Sequence, residues 1–260
     1  MDTKRKKKAE DIKIATDQAL DLIATWNPDV VITSDDNAAK HIIAPHFKNS
    51  DIPFVFSGVN WTVEEYGFPF ENVTGIVEVA PIAPMLKEAS KQSAGKSGFY
   101  LAADTLTEEK NFQRNKLEAD NLGIHLEKSL VSTFDEWKEN FKHAQNKYDF
   151  LVIGSNSGIS DWNTEMASEY AQANARKLSV TNMQWMMPVT TLGYTKLPHE
   201  HGEWAGQAAI AILDGMHVSD IPIATNRKWD LWINESLEKT SSTKLSKRLG
   251  KKAKRLASAD

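Results

Sequence analysis

The sequence predicts an α/β fold in which parallel strands are flanked by helices, and three observations lead to this prediction. Four short apolar runs lack the alternation of apolar and polar residues expected of a half-exposed strand, so they are typical of strands buried on both faces. Each run opens into a polar loop, and helical patterns lie between the runs. Strands and helices in alternation indicate a parallel sheet covered by helices.

The four runs are the predicted strands of this fold. They are Asp29–Ser34, Pro53–Gly58, Gly98–Asp104 and Asp149–Gly154. An amphipathic stripe that includes Ile12 and Ile23 predicts a helix before the first strand. Helices are also expected from about Ala38, and from Thr105 to about Leu122, because polar loops lead into helical patterns there.

The pattern occurs in two blocks, which predicts two lobes. Pro81 and Pro84 interrupt the chain between the blocks and begin a helix that runs through Lys91. A late helix, Glu200–Leu213, and a strand from Ile221 are too little for a third domain, so they are expected to complete the two lobes. We therefore assign residues 1–78 and 188–217 to lobe one, residues 79–187 and 218–240 to lobe two, and residues 241–260 to a basic C-terminal tail.

Composition excludes several classes of protein. The chain has 260 residues, of which 41% are hydrophobic and 25% are charged, as is usual for a globular protein of one large domain or two lobes. No apolar run reaches the roughly 18–20 residues of a membrane span. The absence of cysteine excludes disulfides, thiolate metal sites and a cysteine nucleophile.

Charge is distributed unevenly along the chain. Lys244–Asp260 contains seven basic residues and one acidic residue, so the remainder carries 24 basic residues against 34 acidic ones. A second basic cluster, Lys4–Lys8, lies near the start. Because the body of the protein is acidic, nucleic acid is not expected as its partner. The basic ends are interpreted as solvated termini, with contact to a membrane or another polyanion as the alternative.

Several motifs resemble catalytic or metal sites but lack a residue or a spacing that such a site requires. Gly154–Gly158 has the glycine spacing of a nucleophile elbow, but Asn156 stands where the serine would be. His199 and His201 are two residues apart, whereas helical metal ligands share a face at a spacing of three or four. Glu200 is better interpreted as complementing the positive end of a helix. The sequence therefore predicts no catalytic residue, no metal site and no cofactor.

Polar and tryptophan side chains follow the ends of the predicted strands. Open α/β sheets bind ligands at the carboxyl ends of their strands, and amides, hydroxyls and flat apolar rings are typical of a small-molecule cleft. The predicted ligand-binding residues are Asp35, Asp36, Asn37, Asn60, Trp61, Asp104, Thr105, Asn156, Ser157 and Trp185. Two alternatives stay open: Asp35 or Asp36 caps the following helix, and the tryptophans pack in the core.

The sequence resembles the ABC-transporter substrate-binding family over nearly its whole length. The segments that carry the resemblance are Asp2–Arg5, Thr33–Ala38, Pro53–Asn60, Asn72–Gly75, His201–Ala205, Ile212–Gly215, Asp220–Ile223 and Trp232–Asn234. The resemblance implies the type I periplasmic binding protein fold, with two lobes, three crossings between them and a ligand in the cleft. It also implies a membrane permease or a sensor as partner, and a periplasmic or other extracytoplasmic location.

The start of the chain departs from the family pattern. In the family, a first strand, a first helix and a second strand precede the segment Asp2–Arg5, whereas Met1 stands there in this sequence, and no signal peptide is present. Lobe one is therefore expected to be incomplete, with an open strand edge at Val30–Ile32. We expect this edge to form a homodimer, to aggregate, or to be covered by the basic tail.

The residues and the resemblance together predict a solute-binding protein. A small polar or aromatic ligand, with an amino acid as one candidate, is expected between the lobes, held by hinge closure. The predicted lobe-one residues run from Asp35 to Trp61, and those from Asp104 to Trp185 form the other wall. The alternative from another class is a small-molecule hydrolase that uses Asp35 and Asp36 in the same cleft.

Overall fold

The computed structural model describes residues 8–241 and 244–256. Its strands are β1 (Val31–Ser34), β2 (Phe54–Asn60), β3 (Val73–Glu78), β4 (Ser97–Ala103), β5 (His125–Val131), β6 (Phe150–Ile153), β7 (Leu178–Thr181), β8 (Leu192–Lys196), β9 (Ala224–Thr225), β10 (Trp229–Asn234) and β11 (Lys254–Leu256). Its helices are α1 (Ala9–Trp26), α2 (Asp36–Ala38), α3 (Ala44–His46), α4 (Ile82–Ser93), α5 (Leu106–Asn121), α6 (Phe134–Lys147), α7 (Thr164–Asn174), α8 (Pro198–Leu213), α9 (Glu235–Thr240) and α10 (Lys247–Lys252). A π-helical stretch, Ala39–Ile43, joins α2 to α3.

The chain forms two compact units and passes between them three times. Unit 1 contains the residues up to Val79 together with Leu197–Lys228, and unit 2 contains Ala80–Lys196 and the residues from Trp229 onward. The predicted α/β class, with parallel sheets flanked by helices, is confirmed. The four predicted strands correspond to β1, β2, β4 and β6, and the predicted helices correspond to α1, α4, α5 and α8.

Unit 1 is built on a four-stranded parallel sheet in the order β1-β2-β3-β9. On one face, Phe54, Phe56 and Val73 pack with residues of the π-helical stretch, and Ile23 of α1 lies against this cluster. On the other face, Val55 of β2 packs against Ala205 and Ala208 of α8. Residues of one strand thus point to opposite faces, as the period of two in a β-strand requires.

Unit 2 is built on a seven-stranded sheet in the order β11-β10-β8-β7-β6-β4-β5. All pairs are parallel except β8 with β10. Its main core joins the strands to α6 and α7, with Trp137 and Phe141 at the centre. Every side chain of β6 and β7 is buried, as predicted for strands covered on both faces.

Strand pairing corrects three predicted boundaries. Residues 188–196, assigned to lobe one, contain β8, which pairs with β7 and β10 and so belongs to unit 2. Residues 218–228, assigned to lobe two, contain β9, which pairs with β3 in unit 1. Residues 244–256 are not a separate tail, because β11 adds to the sheet beside β10. Residues 242–243 and 257–260, and Lys4–Lys7 of the other basic cluster, lie outside the described residues.

Strand β1 is the outer strand of its sheet. Among the described residues it pairs with β2 alone, as expected for an open edge at Val30–Ile32. Its side chains alternate between half-buried and exposed, so the prediction of burial on both faces is wrong for this strand. The described part of the basic tail adds no strand to this edge, because β11 pairs with β10 in the other sheet.

Two side chains of unit 1 hold the backbone where the chain leaves the unit. The Asn226 amide accepts a hydrogen bond from the Val79 N–H at 2.6 Å and donates one to the Val79 carbonyl at 3.2 Å. The Glu200 carboxylate accepts hydrogen bonds from the N–H groups of Arg227 and Lys228, at 2.9 and 3.0 Å. Glu200 thus binds the backbone at the end of unit 1, in addition to lying at the start of α8.

Within the described ranges, no helix combines the length and the apolar character that crossing a bilayer requires.

Candidate functional site

The first cluster of predicted site residues lies in unit 1, where β1 ends. Asp35 adopts the left-handed region with φ of +78°, which is uncommon for a residue other than glycine. Its carboxylate accepts a hydrogen bond from the Asp36 N–H at 2.7 Å and another from the Asn37 side chain at 3.4 Å. The helix-cap interpretation therefore holds for Asp35.

Asp36 connects the ends of β1 and β2. Its carboxylate accepts hydrogen bonds from the Asn60 backbone N–H at 3.2 Å and from the Asn60 side chain at 2.5 Å. The Tyr66 hydroxyl donates a third hydrogen bond at 2.8 Å. Burial, and then the hydrogen bond to Asp36, raises the pKa of Tyr66 well above its usual value, so the hydroxyl stays a donor. These contacts order the acidic end of unit 1.

The backbone at the end of β2 is also unusual. The pairing of β2 with β3 shifts register between Ser57 and Val59, and Gly58, which lies between them, has φ of +67°. Trp61, directly after β2, has φ of +67° as well, and its N–H donates to the Glu78 carbonyl at 3.0 Å. Non-glycine residues held in this region carry strain, which tends to concentrate at functional sites.

The second cluster lies in unit 2, where the adjacent strands β4 and β6 end. Asp104 and Thr105 follow β4, and Thr105 caps α5 by accepting a hydrogen bond from the Glu108 N–H at 3.2 Å. Asn156 and Ser157 follow β6 in a loop whose Ser155 carbonyl accepts a hydrogen bond from the Ala103 N–H at 2.8 Å. Gly158 lies so close to Thr105 that an added Cβ would stand 2.6 Å from the Thr105 methyl. The structure thus brings these two loops of unit 2 together.

Two tryptophans of unit 2, Trp185 and Trp162, differ in their exposure to solvent. Trp185 lies in a 3-10 turn, Gln184–Val189, that follows β7, and its side chain is 58% exposed. Trp162 instead packs edge-on against Trp137, with ring centroids 5.1 Å apart, and joins the core. The core interpretation therefore describes Trp162, whereas Trp185 presents its ring to solvent.

Two residues of these clusters were not anticipated from the sequence. Tyr66 completes the contacts of Asp36 from a 3-10 turn, Glu64–Tyr66, that has no recognisable sequence motif. Glu108 is buried, with 1% of its surface exposed, and its carboxylate accepts a hydrogen bond from the Ser155 N–H at 3.1 Å. The spacing Thr105-x-x-Glu108 is a sequence signal for a helix start, but it does not indicate where the carboxylate points.

The described part of the chain contains no group of three or more His, Asp and Glu side chains arranged to bind a metal. His201 is buried, and Glu200 binds the backbone of Arg227 and Lys228. Of the two histidines of α8, His201 therefore contributes to the packing of unit 1, whereas His199 is exposed.

Solved structures with the same fold cover most of this chain. One is an ABC domain in complex with L-Trp from Streptococcus pneumoniae, with a TM-score of 0.64 and 15% identity over 95% of this chain and 85% of that one. A second is the ligand-free, open structure of a substrate binding protein with adhesive properties from Clostridium difficile, with a TM-score of 0.73 and 17% identity over 94% and 83% of the two chains. These similarities show the fold, which is that of type I periplasmic binding proteins. None of the curated proteins compared matches the sequence.

The family comparison agrees with the fold. The model of the ABC transporter substrate binding protein family matches residues 3–257, which is almost the entire chain. The chain belongs to the ABC transporter substrate binding protein family.

Proposed function

We propose that this protein captures a small polar or aromatic solute, with an aromatic amino acid as the first candidate, and delivers it to a membrane transporter. Membership of the family implies a small-molecule ligand and a transporter partner. The observation that supports the proposed site is that each unit has ordered polar side chains where two adjacent strands end. Ligands of open α/β sheets bind at such strand ends.

The two clusters differ in charge, which supports a zwitterionic ligand. The unit 1 cluster contains the carboxylates of Asp35 and Asp36, and Trp61 directly follows β2, so these residues suit an ammonium group and an apolar face. The unit 2 cluster has one carboxylate, that of Asp104, together with the Thr105 hydroxyl, Asn156, Ser157 and the start of the 16-residue helix α5. N–H groups and positive dipole ends at helix starts favour a carboxylate.

An aromatic amino acid combines these groups in one molecule. The structural neighbour from Streptococcus pneumoniae was solved with L-Trp, which makes L-Trp a reasonable first ligand to test. We further propose that the ligand binds both clusters, and that these contacts stabilise a closed state by hinge closure. This function places the protein outside the cytoplasm, where solutes are captured before uptake.

The proposed site can be tested by isothermal titration with L-Trp, L-Phe and L-Tyr. We expect Asp36→Ala and Asn156→Ala each to weaken binding by about 1–3 kcal/mol, because each removes a buried polar contact with the ligand. Asp120→Ala is the control, since this exposed carboxylate pairs with Lys116 on the opposite end of α5. Unchanged affinity in both site variants would remove the assignment of these clusters.

Tryptophan fluorescence gives a second test of the site. Trp61 and Trp185 should change environment when a ligand excludes water from them. We expect Trp61→Phe or Trp185→Phe to reduce the ligand-induced change in fluorescence, and Trp162→Phe to leave it unaltered because Trp162 lies in the core. A change that persists in both Trp61→Phe and Trp185→Phe would exclude the aromatic part of the proposal.

Binding without turnover distinguishes this function from the alternative hydrolase. The family is one of substrate-binding proteins, and the oxygens of Asp36 already accept hydrogen bonds from Asn60 and Tyr66. We expect a glycoside and a nucleotide, which contain hydrolysable bonds, to be recovered unchanged after prolonged incubation. A product that disappears in Asp35→Ala and Asp36→Ala would favour the hydrolase.

Self-association through β1 is also proposed. An edge strand with unpaired N–H and C=O groups and no charged side chain is a template for pairing with a second copy. Sedimentation velocity should detect a concentration-dependent dimer that Ile32→Lys removes. A monomer at all concentrations in the unaltered protein would exclude this interface.

A further inference from the structure

We propose that Glu108 is a positioning residue that holds the loop Gly154–Gly158 in its ligand-binding conformation. This inference rests on the proposed function, because the loop carries Asn156 and Ser157. Glu108 itself is 1% exposed, so it is not expected to touch the ligand. Its role is to fix the backbone from which the binding side chains project.

Both oxygens of the Glu108 carboxylate accept hydrogen bonds, and all of the donors are neutral. One oxygen accepts hydrogen bonds from the Tyr100 hydroxyl at 2.7 Å and from the Ser155 N–H at 3.1 Å. The other accepts a hydrogen bond from the Asn111 side chain at 2.8 Å. No lysine, arginine or histidine among the described residues forms an ion pair with it. A buried carboxylate without a cation is unfavourable unless its hydrogen bonds are satisfied, so the loop and the carboxylate stabilise each other.

In α6, a second helix of unit 2, a glutamate at the same position caps the start of its own helix. Thr133-x-x-Glu136 opens α6 with a complete capping box, in which the Glu136 carboxylate turns back to the Thr133 N–H at 3.2 Å. Thr105-x-x-Glu108 has the same spacing at the start of α5, and the Thr105 hydroxyl caps the Glu108 N–H. The Thr105 N–H, however, donates to the Ala103 carbonyl at 3.0 Å. The Glu108 carboxylate is thereby released to reach the neighbouring loop.

The loop is shaped to bring its backbone onto this carboxylate. A Cβ at Gly154 would stand 2.3 Å from a Glu108 carboxylate oxygen and 2.7 Å from the Tyr100 hydroxyl, so only glycine allows the approach. The contact continues along the loop, because the Ser155 hydroxyl accepts a hydrogen bond from the Ser157 N–H at 3.0 Å. Glu108 therefore acts on Ser157 through Ser155.

Amide hydrogen exchange in the ligand-free protein tests this role directly. We expect Glu108→Ala to accelerate exchange at the Ser155 and Ser157 amides by at least about tenfold, because both lose their support. Glu108→Gln keeps an acceptor oxygen toward Tyr100 and Ser155, while the Asn111 amide can rotate to present its oxygen, so exchange should stay close to that of the unaltered protein. Unchanged exchange in Glu108→Ala would overturn the proposal.

Gln145→Ala is the matched control for loss of stability. Gln145 is a buried polar residue of the same unit, and its side-chain oxygen accepts hydrogen bonds from the Arg176 and Lys177 N–H groups before β7. The variant should lower stability without accelerating exchange at Ser155 and Ser157. An equal acceleration in Gln145→Ala would mean that general destabilisation explains the effect, and would also overturn the proposal.

Titration with L-Trp separates this inference from the proposed function. We expect about tenfold weaker binding in Glu108→Ala, near-normal binding in Glu108→Gln and normal binding in Gln145→Ala. If Asn156→Ala weakens binding and Glu108→Ala does not, the loop binds ligand and Glu108 does not position it. If the unaltered protein does not bind L-Trp, the proposed ligand is wrong, and hydrogen exchange still decides whether Glu108 holds the loop.

Discussion

The outer strand β5 of unit 2 carries charged side chains, whereas the outer strand β1 of unit 1 carries none. In unit 2, β5 pairs with β4 alone among the described strands, and charged side chains occupy it. Lys128 forms an ion pair with Glu109 of α5, and Glu127 accepts a hydrogen bond from the Tyr148 hydroxyl at 2.5 Å. In unit 1, the outer strand β1 consists of Val31–Ser34, which contains no charge, and Ile32 is 52% exposed.

The difference indicates which edge is built to face water. Charged side chains on an edge strand discourage pairing with another chain, and β5 follows this rule. An uncharged edge lacks this protection, so it stays available for pairing with another strand. The side chains of β5 therefore discourage pairing with another strand, whereas those of β1 leave its edge able to pair.

Amide hydrogen exchange should show the largest contrast between the two units. The Val31 and Asp35 N–H groups donate hydrogen bonds to carbonyls in or next to β2. Because successive N–H groups of a strand point to opposite sides, the Ile32 and Ser34 N–H groups point to the open edge. We expect these two amides to exchange almost as fast as loop amides. The amides of β6 should exchange only on global unfolding, which requires about 5–15 kcal/mol. Equal protection of Ile32 and Val152 in a verified monomer would show that the β1 edge is covered.

Core substitutions should show the next largest contrast. Leu151 of β6 is completely buried, so Leu151→Ala should lower the free energy of unfolding by about 2–5 kcal/mol. Ile32→Ala in β1 should lower it by less than about 0.5 kcal/mol, since that side chain is half exposed. Urea unfolding monitored by circular dichroism measures both values. A loss above 2 kcal/mol for Ile32→Ala would mean that β1 has a partner on its exposed face.

Removing one hydrogen bond from the polar cluster of each unit should give a smaller difference in the free energy of unfolding. Tyr66→Phe removes one hydrogen bond to Asp36 and should destabilise unit 1 by about 0.5–1.5 kcal/mol. Its counterpart in unit 2, Tyr100→Phe, removes a hydrogen bond to the buried Glu108, and should destabilise by about 1–3 kcal/mol because the acceptor has no water to replace it. Thermal unfolding compares the two. The reverse order would mean that Asp36 is the more strongly desolvated carboxylate.

The smallest effect concerns the charged edge of unit 2 at low pH. Hydrogen bonds from Tyr148 and then from His125 lower the pKa of Glu127 from its usual value of 4.5 to about 2. Since the folded-state pKa is the lower one, the stabilising contribution of Glu127 is complete above about pH 4.5 and is lost as the pH falls toward 2. Side-chain NMR titration should show a clearly higher Glu127 pKa in Tyr148→Phe, and a smaller rise in His125→Ala. A pKa that stays near 2 in Tyr148→Phe would assign the shift to another group.

Four strands, β1, β2, β4 and β6, and the family could be predicted from the sequence because short apolar runs and matching segments are local features. The allocation of β8 and β9 could not, because a strand of five or two residues has no signal for the partner beside which it pairs. The same limit applies to the candidate site. Asn60 and Asp36 follow predicted strands, whereas Tyr66 and Glu108 reach the site by long-range contacts that the local sequence does not encode.

The division of unit 1 between two stretches of chain has a consequence for synthesis on the ribosome. Strands β1 to β3 are complete at Val79, but α8, which covers Val55, begins only after the intervening stretch Ala80–Lys196 has been made. At about 5–20 residues per second this delay is on the order of ten seconds. During that time one apolar face of the nascent sheet remains uncovered, while β4 to β8 can already assemble. Unit 1 is therefore expected to need a chaperone longer than unit 2 does, although β1 to β3 are made before the strands of unit 2.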